Sequence, residues 1–384
     1  MSNLIYLDYH STTPCDPRVV KAMLPFFTSE CANPSNSYHL AGRKALNKIE
    51  DSRGMISALI GAQPSEIILT SGATESNNIA ILGIAHAYQG DRKKIVTTEI
   101  EHKSVLKPIE CLEKQGFDVG YLPLDETGTI MIEDIDDIID ENTLLVSVQA
   151  ANNEIGTIQP VDLLASKAHD MGAIFHCDAA QAVGKVPVNV KKLDVDLLSI
   201  SAHKLYGPKG VGALYVKRDR KLALEPLVWG GDQEKNLRPG TYNVPGIVGF
   251  GEACKLCKDE MAEEALRIEG FRDLLEQGLI EKIDDLMING NKQNRLFGNS
   301  SITFPGIEGD ALLLNLPHLA LSIGSACNTG VIEPSYVLTS IGIPRDLATS
   351  TIRVGLGRFT TRSEIIQSIG FITEAYEYLK NKLI

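Results

Sequence analysis

The order of helix-like and strand-like stretches from about Pro17 to Gly251 restricts this chain more than any single motif. Strand-like runs fall at Ile67–Thr70, Lys94–Thr98, Asp118–Leu122, Thr143–Val148, Ile174–Asp178, Leu197–Ser201 and Gly212–Val216. Helix-like runs lie between them, among them Ser76–Tyr88, Lys103–Gln115 and Asp162–Met171. Such alternation predicts an α/β unit with a mostly parallel sheet. After Gly251 the pattern changes. Residues 252–290 read as one or two long charged amphipathic helices. Two strand candidates, Ser300–Phe304 and Thr351–Leu356, and a last helix over about 363–383 follow. This predicts a smaller α+β domain. The expected boundaries are 16–254 for the large domain and 1–15 with 255–384 for the small one; the strand Ile5–Asp8 fits either unit.

A chain of 384 residues, 43% hydrophobic and 22% charged, can bury cores of that size. Its net charge of −12, with no sustained basic run, disfavours polyanions, so no direct nucleic-acid binding is expected. No apolar run reaches membrane-spanning length, so no membrane association is expected. The N-terminus has neither a secretory nor a transit layout, and the expected location is cytoplasmic. Seven scattered cysteines, an odd number, argue against a disulfide framework. Cys254 and Cys257 form a lone CxxC on a helix-like run, with no second pair to complete a zinc site. No metal is expected.

Ligands of parallel sheets sit beyond the carboxyl ends of strands, and several polar motifs stand at those ends. Lys204 follows Leu197–Ser201 and precedes a Gly-Pro turn. A lysine held there can lose enough solvent to act as an amine nucleophile, as Schiff-base chemistry requires; alone, it reads equally as a surface charge. Asp178 ends another strand and could partner a pyridinium nitrogen. Ser71-Gly-Ala-Thr-Glu-Ser-Asn-Asn78 opens a helix, as a phosphate cradle or an ordinary cap. His102, just past a strand, could stack on a planar cofactor or be structural. Asn153 could donate to a substrate carboxylate or a phenolic oxygen, or belong to an Asn-rich turn. Cys327, in Gly324-Ser-Ala-Cys-Asn-Thr-Gly330, is a nucleophile given a nearby cation or base, or a loop cysteine without a role. Arg353, on a strand, could hold a carboxylate bidentately.

Taken in order, a set of segments resembles the cysteine desulfurases, pyridoxal 5'-phosphate (PLP) enzymes of the class V aminotransferase group. They are Tyr6-Leu-Asp-Tyr-His-Ser-Thr-Thr-Pro14, Asn33-Pro-Ser35, Ser71–Asn78, Glu101-His102, Asn152–Gly156, Asp178-Ala-Ala-Gln181, Ser201-Ala-His-Lys204, Gly324-Ser-Ala-Cys327 and Arg353. Glu333-Pro-Ser-Tyr-Val-Leu338 after the cysteine resembles the housekeeping and nitrogen-fixation branch. Asn-Thr-Gly after Cys327 departs from the family's more usual Ser and Ala, which is expected to tune loop mobility without removing the thiol.

The resemblance implies the PLP-dependent transferase fold type I. That fold has a large domain with a mainly parallel seven-stranded sheet, plus a smaller α+β domain carrying the cysteine loop. It also implies roles. Lys204 would bind the cofactor covalently, Asp178 would pair with its ring nitrogen, Gln181 would bond its phenolic oxygen and His102 would stack on the ring. Thr74, Ser201 and His203, with the Ala73 N–H, would hold the phosphate. Thr241 would reach the phosphate of a neighbouring subunit, making a homodimer. Asn153 and Arg353 would take the carboxylate of L-cysteine. Cys327 would receive the sulfur as a persulfide, leaving alanine. A sulfur-acceptor protein, a scaffold or thiolation factor, would pass it to iron–sulfur cluster assembly, tRNA thiolation or DNA phosphorothioation. Two rival readings are a selenocysteine lyase or small-amino-acid aminotransferase, which needs no mobile thiol, and a sulfur-relay subunit, which needs neither Lys204 nor Cys327.

Overall fold

The computed structural model describes residues 4–324 and 333–383. The chain starts with a short strand, β1 (Ile5–Tyr6), and then builds a seven-stranded sheet. Its strands are β2 (Ile67–Thr70), β3 (Lys94–Thr97), β4 (Asp118–Tyr121), β5 (Thr143–Gln149), β6 (Ile174–Asp178), β7 (Leu197–Ser201) and β8 (Gly212–Val216). The order across the sheet is β2-β8-β7-β6-β5-β3-β4. Pairs from β4 through β7 are parallel; β8 runs antiparallel to both its neighbours. Every expected strand of the large unit is present within about a residue of its expected ends.

Apart from the exposed edge strand β4, the strands are buried on both sides, and successive side chains feed different cores. On one face Leu145, Leu197 and Leu214 pack against Ile79, Ile84, Val105 and Ile109 of the helices Ala73–Ala87 and Lys103–Glu113. On the other, Val146, Val148, Phe175 and Ile200 share a core with Ile49 and Ile56, Leu164, and Ile247 and Phe250. Those come from the helices Leu40–Ile60, Val161–Asp170 and Val244–Ile280.

The region expected as one or two helices over 252–290 is a single helix, Val244–Ile280. It starts earlier because the Asn243 side chain caps the Gly246 N–H and Pro245 sits in the first turn. It also stops earlier. Asp285 takes a left-handed backbone (φ 62°), and the chain re-enters as a strand. The helix runs about 55 Å at 1.5 Å per residue. It carries Phe250 and Cys254 in the first core and Ile268, Leu275 and Leu279 in another. The latter underlies β9 (Met287–Asn289), β10 (Asn299–Thr303), β11 (Leu319–Ala320), β12 (Ser322–Ile323) and β13 (Thr351–Gly355). These form the antiparallel sheet β12-β13-β10-β9 and the pair β1-β11. The helix Arg362–Leu383 covers that core through Ile365, Ile369 and Ile372.

Two buried carboxyl groups stand out. Glu234 accepts both Arg53 Nη1 (2.8 Å) and Nη2 (2.7 Å), and the Leu69 N–H of strand β2 (2.7 Å). Arg53 Nη1 also donates to the Ile67 carbonyl (2.8 Å). Glu234, Lys235 and Asn236 are three consecutive non-glycine residues in the left-handed region, at φ 48°, 58° and 66°. Such backbone is unfavourable for L-residues, and the ion pair holds it. Glu101 is fully buried, takes one bond from Thr98 Oγ1 (2.8 Å) and has no partner for Oε2 among the described residues. Burial pushes its carboxyl up to about 8.

Glu234→Gln is expected to remove the buried counter-charge of Arg53, leaving it only the half-exposed Glu50 at 3.2 Å, and to lower stability by about 3 kcal/mol, read from the denaturant midpoint. For Glu101 the folded value lies above the unfolded one, so the folded state favours the protonated carboxyl. That contribution is complete below about pH 4 and is lost as pH rises through about 8. Unfolding free energy should therefore fall from pH 5 to 9 by up to ~1.4 kcal/mol per pH unit for this one proton. Glu101→Gln should flatten that decline in denaturant titrations across the range.

Candidate active site

The carboxyl ends of β5, β6 and β7 border a cavity of about 720 Å³. Ala73, Thr74, His102, Asn153, Asp178, Gln181, Ser201, His203, Lys204 and Arg353 all line it. Thr241 does not; it lies exposed on a separate loop. Cys327 lies outside the described residues. Gly324, just ahead of them, reaches the cavity wall.

Lys204 stands one turn beyond β7. Its Nζ donates to the carbonyls of His10 and, at 2.8 Å, Ser11. Burial pushes its amine down to about 8, with the Arg353 cation acting in the same direction. A substantial neutral fraction near pH 7–8 is what a nucleophilic amine needs. The turn behind it is held by Tyr206, at φ 64°, whose hydroxyl donates to Glu264 at 2.8 Å while the Arg358 guanidinium lies 4.2 Å over its ring.

Asp178 ends β6 with both oxygens engaged. Oδ1 accepts the Ala180 N–H (3.0 Å) and Oδ2 the Asn77 amide (2.7 Å). The same Asn77 nitrogen donates to Ser104 Oγ (2.8 Å), which lies 2.7 Å from His102 Nδ1. His102 Nδ1 also accepts the Ser104 backbone N–H (3.1 Å). In the neutral ring the proton therefore sits on Nε2. Burial lowers the imidazole's proton affinity, as do Lys204 and Lys103, while Asp178 opposes them.

The helix Ala73–Ala87 begins at the cavity with Gly72, at φ 151°, and no side chain caps it. Glu75 instead reaches back to the Ser71 N–H (2.5 Å) and pairs with Arg238 (3.0 Å). The helix thus starts three residues before the expected Ser76. Its first N–H groups open toward the cavity beside the Thr74 and Ser201 hydroxyls. His203, pushed down to about 4 by burial and then by neighbouring lysines, is neutral, with Nδ1 3.0 Å from Thr12 Oγ1.

Arg353 comes from β13. Nη1 donates to the Asn153 carbonyl (3.0 Å), and Nη2 to Asp8 (3.0 Å), Ser11 (2.6 Å) and Ser322 (2.7 Å). Beside it Glu154 is buried, takes the Ser335 hydroxyl at 2.5 Å and is pushed up to about 7 by burial. Sequence reasoning did not single out Asn77, Ser104, Glu154 or His10. Asn77 stood within the Ser71–Asn78 motif, one turn after Ala73, which places it on the inner face of the helix.

The donor set fits pyridoxal phosphate. An uncapped helix start with adjacent hydroxyls suits a phosphate, a fixed carboxylate suits a ring nitrogen, and a desolvated lysine suits an aldehyde. Among the described residues no cluster suits a metal ion, and no helix is long and apolar enough to cross a membrane.

The aminotransferase class-V family model matches residues 5–367. A cysteine desulfurase IscS of Anaeromyxobacter dehalogenans is 46% identical over 376 residues, covering 98% of this chain and 93% of that protein. A solved NifS-like protein superposes with a TM-score of 0.90 at 36% identity, covering 98% of this chain and 99% of the other. The structure of SspA in complex with cysteine gives 0.81 at 36% identity, covering 93% and 100%. The chain belongs to the class-V aminotransferase family and is one of its pyridoxal phosphate-dependent cysteine desulfurases, with cysteine as substrate.

Proposed function

We propose that the cavity at the ends of β5–β7 is where sulfur leaves L-cysteine, that Cys327 receives it as a persulfide, and that two copies of the chain work as a homodimer. The observation that carries this reading is the convergence of Lys204, Asp178, the open helix start at Ala73 and Arg353 on one cavity. Pyridoxal phosphate, when bound, supplies a ring that withdraws electrons from the substrate Cα. Asp178, held by Ala180 and Asn77, would keep the ring nitrogen protonated. Ala73, Thr74, Ser201 and His203 would hold the phosphate, and Gln181 the phenolic oxygen. His102 would lie against the ring with its Nε2 proton available. Arg353 and Asn153 would orient the cysteine carboxylate. The Lys204 amine would take the Cα proton at Nζ. The Cys327 thiolate would then attack the substrate sulfur. A sulfur–sulfur bond forms, the Cβ–S bond breaks, and its electron pair stays with the three-carbon fragment, which leaves as alanine.

The homodimer rests on the loop that carries Thr241. Val228 and Trp229 in it are 62% and 78% exposed, an apolar surface of the kind that seats a partner. Thr241 would then reach the phosphate of the neighbouring subunit. We further propose that the persulfide passes to a protein scaffold or thiolation factor serving iron–sulfur cluster assembly, tRNA thiolation or DNA phosphorothioation, and that the enzyme works in the cytoplasm. The six described cysteines, all unpaired, are in keeping with a reducing compartment.

Cys327→Ser is expected to keep cofactor binding, seen in the visible spectrum, while sulfide and alanine release from L-cysteine falls at least ~10²-fold, as for loss of a covalent nucleophile. Undiminished sulfide release would overturn the assignment of Cys327. Lys204→Ala should retain no covalently attached cofactor after borohydride reduction, checked by intact mass; a reduced adduct of native mass would overturn the assignment of Lys204.

A further inference from the structure

Lys185 stands outside the constellation above, and its surroundings are unusual for a lysine. Its side chain is buried (8% exposed) and its one hydrogen bond among the described residues runs to Gln181 Oε1 at 2.6 Å. His10 Nδ1 faces the same oxygen at 3.3 Å. The amide nitrogen Nε2 donates to the His10 carbonyl at 2.9 Å, which also receives Lys204 Nζ. The contacts to the Lys185 amine and to the His10 carbonyl agree on one orientation of the amide, and the His10 ring fits it with its proton on Nδ1. One Nε2 hydrogen goes to His10, and the other has no partner among the described residues. Gln181 lines the cavity, three residues after Asp178. The turn that brings Lys185 under it is fixed as well. Gly184 has φ 80°, and a Cβ there would meet Leu205 Cβ at 2.8 Å, next to Lys204.

We propose that Lys185 is a positioning residue that locks the Gln181 amide with its nitrogen toward the cofactor, so that the phenolic oxygen of pyridoxal phosphate meets an N–H donor and not a carbonyl. This rests on the placement of Gln181 against that oxygen. Turning the amide over would set its N–H groups against the Lys185 amine and His10, and would leave the buried His10 carbonyl without this donor. A donor at the phenolic oxygen favours its anion, whereas an acceptor would favour the neutral phenol. The groups around the lock are His10, Lys204, Arg353, Cys257 and Glu264. Burial, then the Lys204 and Arg353 cations, push the Lys185 amine far below its ordinary value. A neutral amine still donates to Gln181 Oε1, and the His10 carbonyl, which can only accept, fixes which end of the amide is the nitrogen.

The test compares Lys185→Met, Gln181→Leu and the double variant, each stripped of cofactor and titrated with pyridoxal phosphate. The readouts are the dissociation constant and the pH midpoint of the bound cofactor's visible band. Lys185→Met should weaken binding roughly three- to tenfold, the scale of one positioned hydrogen bond. It should also move the midpoint upward, since an anion deprived of its donor holds a proton more tightly. Gln181→Leu should do the same, and the double variant should be no worse than Gln181→Leu alone. Lys185→Met with native affinity and midpoint, beside an altered Gln181→Leu, overturns the role of Lys185 alone. An unaltered Gln181→Leu overturns the placement of Gln181. Additive losses in the double variant, or a lowered melting temperature with an unmoved midpoint, show that Lys185 acts by other means and overturn the lock. If Lys185→Met does not fold, Lys185→Ala carries the same comparison.

Discussion

One backbone carbonyl, that of His10, accepts from both the Lys204 amine and the Gln181 amide. The segment that supplies it runs between the two sheets. Upstream, β1 pairs with β11 and Asp8 bridges to Gly355. Downstream, the Thr13 N–H donates to the His203 carbonyl, and the Asp16 N–H to that of Tyr206. Asp16 then takes Arg358 from the region after β13 (2.9 Å). The reactive lysine is thus held by a strip of chain whose own position is fixed from both sides. A desolvated amine needs such acceptors, because burying its donors without partners is costly.

The charges follow the same logic. The chain is acidic overall, at −12, yet its cavity gathers Lys103, Lys204, Lys209 and Arg353. The carboxylates there are restrained. Asp178 is occupied by Asn77 and Ala180, Glu75 by Arg238 and the Ser71 N–H, and Glu154 is shifted toward its neutral form. The local balance favours small anions, and a phosphate-bearing cofactor and a carboxylate substrate both suit it.

Much of the large sheet could be read from sequence because buried parallel strands are continuous apolar runs, and their ends are marked by polar residues. Asp178 and Lys204 stand at such ends. The continuous helix Val244–Ile280 was harder to read, since one stretch packs in the first core and another in the second, which blurs a single apolar face. The two-residue strands β11 and β12 have too few positions to show a period. The residues that orient the site were hidden for a different reason. Asn77 meets Asp178, and Glu154 meets Ser335, across more than a hundred residues, and no local spacing records such a meeting. Lys185 lies only four residues from Gln181, but on a turn, where no helical period relates them.

The pair Arg53–Glu234 has a consequence beyond its own strength. Strand β2 is one of the two outer strands of the seven-stranded sheet, and its residues Ile67-Ile-Leu are apolar and buried. Its outward backbone groups would invite another strand. Here the Ile67 carbonyl is taken by a guanidinium and the Leu69 N–H by a carboxylate. Two side chains from distant segments occupy the place of an eighth strand. They block two of the strand's outward backbone groups, so an added strand, and with it the strand exchange that leads to fibrous aggregates, would meet an interrupted ladder on this border.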